Sequence, residues 1–185
     1  MARVAHRVRH SSANGPPLAA EAKESTFKVL FLDVGLVATS LGLSMLDVER
    51  TSNLLLVNAG AVCEQAVGQH LLHSLPEYQP PDAFFWVREK GGASAEVDYV
   101  VTEGQTVVPV EVKAGKTGTL KSLHAFLREK HRTLGVRLNS DPPSLLDAQT
   151  SLAGAADVPF QLLSLPLYLV GHIRRLVRDT LAVGR

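Results

Sequence analysis

The chain of 185 residues carries one cysteine, Cys63, one tryptophan, and aromatic residues at only 5%. A lone thiol closes no internal disulfide, which suits a reducing cytoplasm. No apolar run reaches the roughly 18 residues that a bilayer span needs. The N-terminal arginines are not followed by the apolar stretch of a secretory signal. A cytoplasmic domain without membrane association is therefore expected. An excess of one charge is also missing, since 19 basic and 18 acidic residues leave a formal net charge of +1. That balance neither advertises nor excludes nucleic acid, because a local basic surface suffices. No G-x-x-x-x-G-K-[ST] phosphate loop occurs. Gly115-Lys116-Thr117 lacks the earlier glycine, so ATP hydrolysis is not expected in this polypeptide. His70, His73, His124 and His131 keep no metal-ligand spacing with one another or with Cys63, which argues against zinc.

What is present suffices for one core: hydrophobic content is 45% over a length that suits a single domain. Residues 1–24, with Ser11, Asn14, Gly15, Pro16 and Pro17, read as an irregular lead-in, made basic by Arg3, His6, Arg7, Arg9 and His10. Residues 25–185 read as one domain. FKVLFLD (27–33) is an apolar strand or helix start, followed by a short helix over Leu36–Leu46 and a long one over Leu54–Leu75. Pro76, Pro80 and Pro81 mark a loop into a strand over Phe84–Glu89. Gly115 and Gly118 flank a turn, and Leu120, Leu123 and Leu127 set a helix to about Lys130. A strand near Gly135–Leu138, an exposed loop over 144–159, a last strand near Phe160–Leu163 and a helix over Leu167–Val177 complete the chain. The order helix, three strands, helix, strand predicts a mixed α/β sheet with helices on both faces.

The chemistry gathers on AEVDYVVT (95–102) and TVVPVEVK (106–113), two alternating Val-rich runs. Side chains at i and i+2 of a strand share a face, so Glu96 goes with Asp98 and Glu111 with Lys113. A two-residue turn at Gly104-Gln105 sets Asp98 opposite Glu111 and Glu96 opposite Lys113, with Val97, Tyr99, Val110 and Val112 on the other face. Facing carboxylates repel, and a divalent cation between them would make that repulsion an attraction. An ordinary solvated face with a Glu96–Lys113 ion pair is the plain alternative. Glu64 adds a third acid from the long helix. Val57, Gly60, Ala61, Val67, Gly68 and Leu71 share its face at helical spacing, and a carboxylate on such a stripe is costly to bury unless paired or metal-bound.

Carboxylate oxygens suit Mg2+ or Mn2+. Asp98 and Glu111 would bind it directly, with the Val112 carbonyl as a further ligand and Glu64 directly or through water. Lys113 would orient a water or stabilise phosphate charge, and Glu96 would either hold Lys113 or stand behind the metal's ligands.

Glu64 on a helix, then Asp98, then Glu111-Val112-Lys113 resembles the PD-(D/E)XK nuclease superfamily. FKVLFLDVGLVATSLGL (27–43), FFWVREKGGASAEVDYVV (84–101), VVPVEVKAGKTGTLKSL (107–123) and SLPLYLVGHIRRLV (164–177) resemble, more narrowly, the C-terminal module of prokaryotic AAA-type ATPases. The resemblance implies a restriction-endonuclease-like αβββαβ core. It also implies metal-dependent hydrolysis of DNA, with a separate ATPase subunit as partner. Superfamily members that lost cleavage keep a second reading open, a binding module for nucleic acid or protein, and a third, a structural piece that docks on an ATPase.

Lys121 and Ser122, at the start of the helix after the hairpin, are candidate phosphate contacts. Trp86, between Phe85 and Val87, reads as core. Arg174, Arg175 and Arg178 could form a basic stripe or complement a helix C-terminus.

Overall fold

Near-continuous apolar runs need cover on both faces of a sheet, and Ala83–Val87 and Thr106–Val112 receive it. The computed structural model describes residues 4–42, 54–75, 78, 81–88, 94–115, 119–152 and 156–183, the side chains of 54–59 excepted. In chain order the elements are β1 (Ala5–Ser11), β2 (Ala22–Phe31), α1 (Val34–Ser40), α2 (Leu54–His73), β3 (Ala83–Val87), β4 (Glu96–Glu103) and β5 (Thr106–Val112). They continue with α3 (Lys121–Glu129), β6 (Leu134–Asn139), β7 (Ser144–Gln149), β8 (Pro159–Pro166) and α4 (Ile173–Val183). The strands form one eight-stranded sheet in the order β2-β1-β3-β4-β5-β6-β8-β7. Pairing is parallel between β1 and β3, β5 and β6, and β6 and β8, and antiparallel elsewhere. The fold is thus mixed α/β with flanking helices, as expected, and α2-β3-β4-β5-α3-β6 follows the predicted order.

Two layers of side chains cover the sheet. On one face Val67 and Leu71 of α2, with Ile173 and Val177 of α4, pack on Phe85, Tyr99, Val110 and Val136. On the other, Ala125 and Phe126 of α3 pack on Phe84, Trp86, Val97 and Val100. Trp86 is core, as predicted, set edge-to-face on Phe126 at 5.2 Å. No described helix is long and apolar enough to cross a membrane.

Three expectations are corrected. Residues 1–24 are not an irregular lead-in, because β1 and the start of β2 lie within them and pair with each other. Their basic residues alternate along a strand: Arg9 binds Glu24 and Asp82, Arg7 lies over the Phe27 ring, and His10 is buried. The domain therefore begins before residue 25. The loop expected over 144–159 begins as β7, an edge strand paired antiparallel to β8. At the sheet edge with one partner, it leaves Leu145 and Leu146 both exposed while Ala148 packs on the Leu123 cluster, and so lacks the alternation that marks a strand. The expectations for Arg3, Leu43–Leu46, Val57, Glu89, Lys116 and Gly118 lie outside the described residues or side chains.

Candidate functional site

The β4–β5 hairpin turns at Gly104, whose φ of 58° suits glycine. Glu103 pairs with Thr106 and Tyr99 with Val110, the register expected of the hairpin, and the paired ladder ends one residue short of Asp98 and Glu111. A bulge then departs from the predicted alternation. Phe84 pairs with Val100 but Trp86 with Val97, so Asp98 and Tyr99 together oppose the single residue Phe85. The extra residue sends Val97 to the α3 face and Tyr99 to the α2 face, where straight alternation had put them together. Bulges re-aim side chains in this way. Asp98 no longer continues the ladder, and its Oδ2 accepts the Val112 N–H at 2.7 Å. The Val112 N–H is thereby held by Asp98.

Glu64 is brought over the hairpin by the packing of α2. Gly68 lets the helix approach closely, since a Cβ there would meet the Tyr99 hydroxyl and stand 2.7 Å from Leu30 Cδ1. The Tyr99 hydroxyl donates to the Glu64 carbonyl at 2.8 Å, which ties the helix to β4 next to Asp98. The Glu64 carboxylate binds Lys28 at 2.8 Å, and its charge acts on Asp98.

Sequence reasoning missed the residue at the centre. Lys28 of β2 extends over the Phe85 ring, its ammonium 5.0 Å from the ring centroid. Its Nζ lies 2.8 Å from Glu64 Oε1, 2.5 Å from Glu96 Oε1 and 4.0 Å from Asp98 Oδ1. One signal could have found it. Lys28 shares the strand parity of Leu30, which is buried, while Phe27 and Val29 on either side of Lys28 are exposed. A lysine on the inward face of an apolar strand needs an acidic partner. Glu96 consequently does not hold Lys113, one of its two expected roles. Lys113 Nζ instead binds Glu111 Oε1 at 2.6 Å, and Glu111 Oε2 is buried without a hydrogen-bond partner.

The charges do not balance. Burial, then the negative charge of Glu111, push the Asp98 carboxyl from 3.8 up to about 7, against the pull of the Val112 N–H. Burial also raises Glu111, in spite of Lys113. Burial works against the Lys28 ammonium, but Glu64 and Glu96 outweigh it and its pKa lies above the ordinary lysine value. The donor chemistry, hard oxygens with one orphaned carboxylate atom, suits a hard cation. As arranged, however, no group of three or more His, Cys, Asp or Glu among the described residues could hold a metal ion. The Lys28 ammonium lies among Glu64, Glu96 and Asp98.

The remaining candidates lie outside this centre. Ser122 Oγ accepts the Glu96 N–H at 3.2 Å, and Lys121 beside it is exposed. The α4 arginines form no free stripe: Arg174 donates to the Thr102 carbonyl, Arg178 binds Glu103, and Arg175 binds Asp179. A cleft of about 610 Å³, lined in part by Leu71, Phe84, Glu103 and Arg174, reaches the turn end of the hairpin, and neither Asp98 nor Glu111 lines it.

Fold and centre define an α/β domain with a desolvated acid cluster at a strand bulge. Residues 59–145, which include Glu64, Asp98, Glu111 and Lys113 but not Lys28, match the family described as "Domain of unknown function (DUF4143)". No curated protein and no solved structure matches the chain.

Proposed function

We propose that this chain is a nuclease-like domain that hydrolyses DNA phosphodiester bonds with Mg2+ or Mn2+, working beside a separate AAA-type ATPase. The observation that carries this reading is the juxtaposition of Glu64 and Asp98 across α2 and β4, with Asp98 desolvated and raised to about 7. Perturbed carboxyls of this kind concentrate at functional sites. Glu64, Asp98 and Glu111, with the Val112 carbonyl, would hold the cation. Bound there, the cation would supply an activated water and neutralise charge on the attacked phosphate. Lys113 is tethered by Glu111 at 2.6 Å, which would aim its ammonium at the water or the phosphate. The Val112 N–H fixes one oxygen of Asp98 and leaves the other for the cation. Lys121, exposed at the start of α3, would contact the DNA backbone. The match to DUF4143 and the resemblance to modules of AAA-type ATPases support the ATPase partner.

A second reading has its own support. Lys28 among the acids favours a domain that keeps the fold and binds nucleic acid or protein without cleaving. Incubation of plasmid and single-stranded DNA with Mg2+ and Mn2+ separates the two. Cleavage abolished by Asp98→Ala and by Lys113→Ala is the expected result. Cleavage that survives Lys113→Ala would refute the role given to that residue, and no cleavage with either metal would leave the binding reading.

A further inference from the structure

Lys28 comes from β2, outside the matched residues 59–145, yet its ammonium is seated among acids of α2 and β4. Two of its contacts are close enough for charge-assisted hydrogen bonds. Its single positive charge faces Glu64, Glu96 and Asp98, three potential negative charges, and Glu111 Oε2 nearby is buried without a partner. A monovalent ammonium leaves that group undercharged, and a divalent ion would match it better. Both cannot fill one position, because the ammonium occupies the space between the Glu64 and Glu96 carboxylates at hydrogen-bond distance from each.

The lysine also has somewhere to go. It stands on the edge strand β2, its side chain is 23% exposed, and its flexible stem lets the head group swing to water.

We infer that the Lys28 ammonium and a divalent cation compete for the same two acids, Glu64 and Asp98, so that Lys28 is a built-in competitor that holds the acids together until the metal displaces it. This rests on the metal-binding reading above but not on hydrolysis. The test titrates Mn2+ into wild type and Lys28→Met, with binding read by calorimetry. It also acetylates the lysines of the wild-type protein with and without saturating Mn2+, with each site read by mass spectrometry. Lys28→Met should bind Mn2+ at least ten times more tightly. Lys28 acetylation in wild type should rise severalfold with Mn2+, while that of exposed Lys121 stays constant. The labelling arm holds even if Lys28→Met fails to fold.

Equal affinities for wild type and variant would overturn the inference, as would unchanged Lys28 labelling in a protein that binds Mn2+. Binding by neither protein would overturn it together with the metal-dependent reading. Tighter binding by Lys28→Met in a protein that cleaves no DNA would uphold the competition and refute the nuclease.

Discussion

Asp98→Asn should stabilise this protein at alkaline pH. The carboxyl is 18% exposed, and its pKa rises from 3.8 to about 7 on folding. A group whose folded pKa is raised keeps its proton in the native state after the unfolded chain has lost it. Stability therefore falls as pH rises from about 4 to about 7 and then levels off. A shift of about three units corresponds to an upper limit of about 4 kcal/mol at pH 8, falling to about 2 kcal/mol at pH 5. Residual solvation reduces both, so a gain of about 1–3 kcal/mol at pH 8 is expected, or about 2–4 °C in Tm for each kcal/mol at this chain length. Asparagine keeps an oxygen to accept the Val112 N–H, so the cap survives and only the charge is removed. Urea unfolding of wild type and variant at pH 8 and pH 5, without divalent ions, measures the difference directly. If Asp98→Asn is no more stable than wild type at pH 8, or gains equally at both pH values, the claim of a desolvated, repelled carboxylate is wrong.

Gly68→Ala should cost about 1–3 kcal/mol by overpacking, since the new methyl would strike Tyr99 and Leu30. The gain in helix propensity offsets at most about 1 kcal/mol, and thermal unfolding would report the net loss. Phe126→Ala should cost about 3–5 kcal/mol, because Phe126 is fully buried against Trp86; the emission of that single tryptophan should shift to the red. Gly104→Ala should cost about 1 kcal/mol, read as a lower urea midpoint with unchanged slope, because its φ is 58° and the space around it is open.

The hairpin was legible because it is local. Gly104-Gln105 and the flanking valines set the register, which holds from Glu103–Thr106 to Tyr99–Val110. The bulge was not legible, since it arises where β4 meets β3, a pairing that no local spacing encodes. Glu64 was found through its small-residue stripe, of which Gly68 is at a close approach of α2 while Gly60 and Ala61 are exposed. β1 was read as a basic tail because its arginines alternate with histidines and Val8 rather than with a clear apolar set. Only Val8, His10 and Ser11 are buried in it. Lys28 escaped for a related reason: its partners Glu64 and Glu96 stand 36 and 68 positions away in sequence, and one lysine in an apolar strand carries no motif.

A purely structural account of Asp98 meets a difficulty. The hydrogen bond to Val112 needs an oxygen, not a charge, and asparagine would supply it without the repulsion from Glu111. The Lys28 ammonium likewise needs an acid, but Glu64 and Glu96 already bind it at 2.8 and 2.5 Å, while Asp98 stands off at 4.0 Å. Neither neighbour requires the ionised form, yet the fold buries it at a cost. Carboxyls perturbed in this way concentrate at functional sites. A cation would use the ionised form, since it would turn the mutual repulsion of Asp98 and Glu111 into shared attraction and drive off the Asp98 proton near neutral pH. Metal affinity should therefore rise with pH up to about 7, and that dependence should vanish in Asp98→Asn.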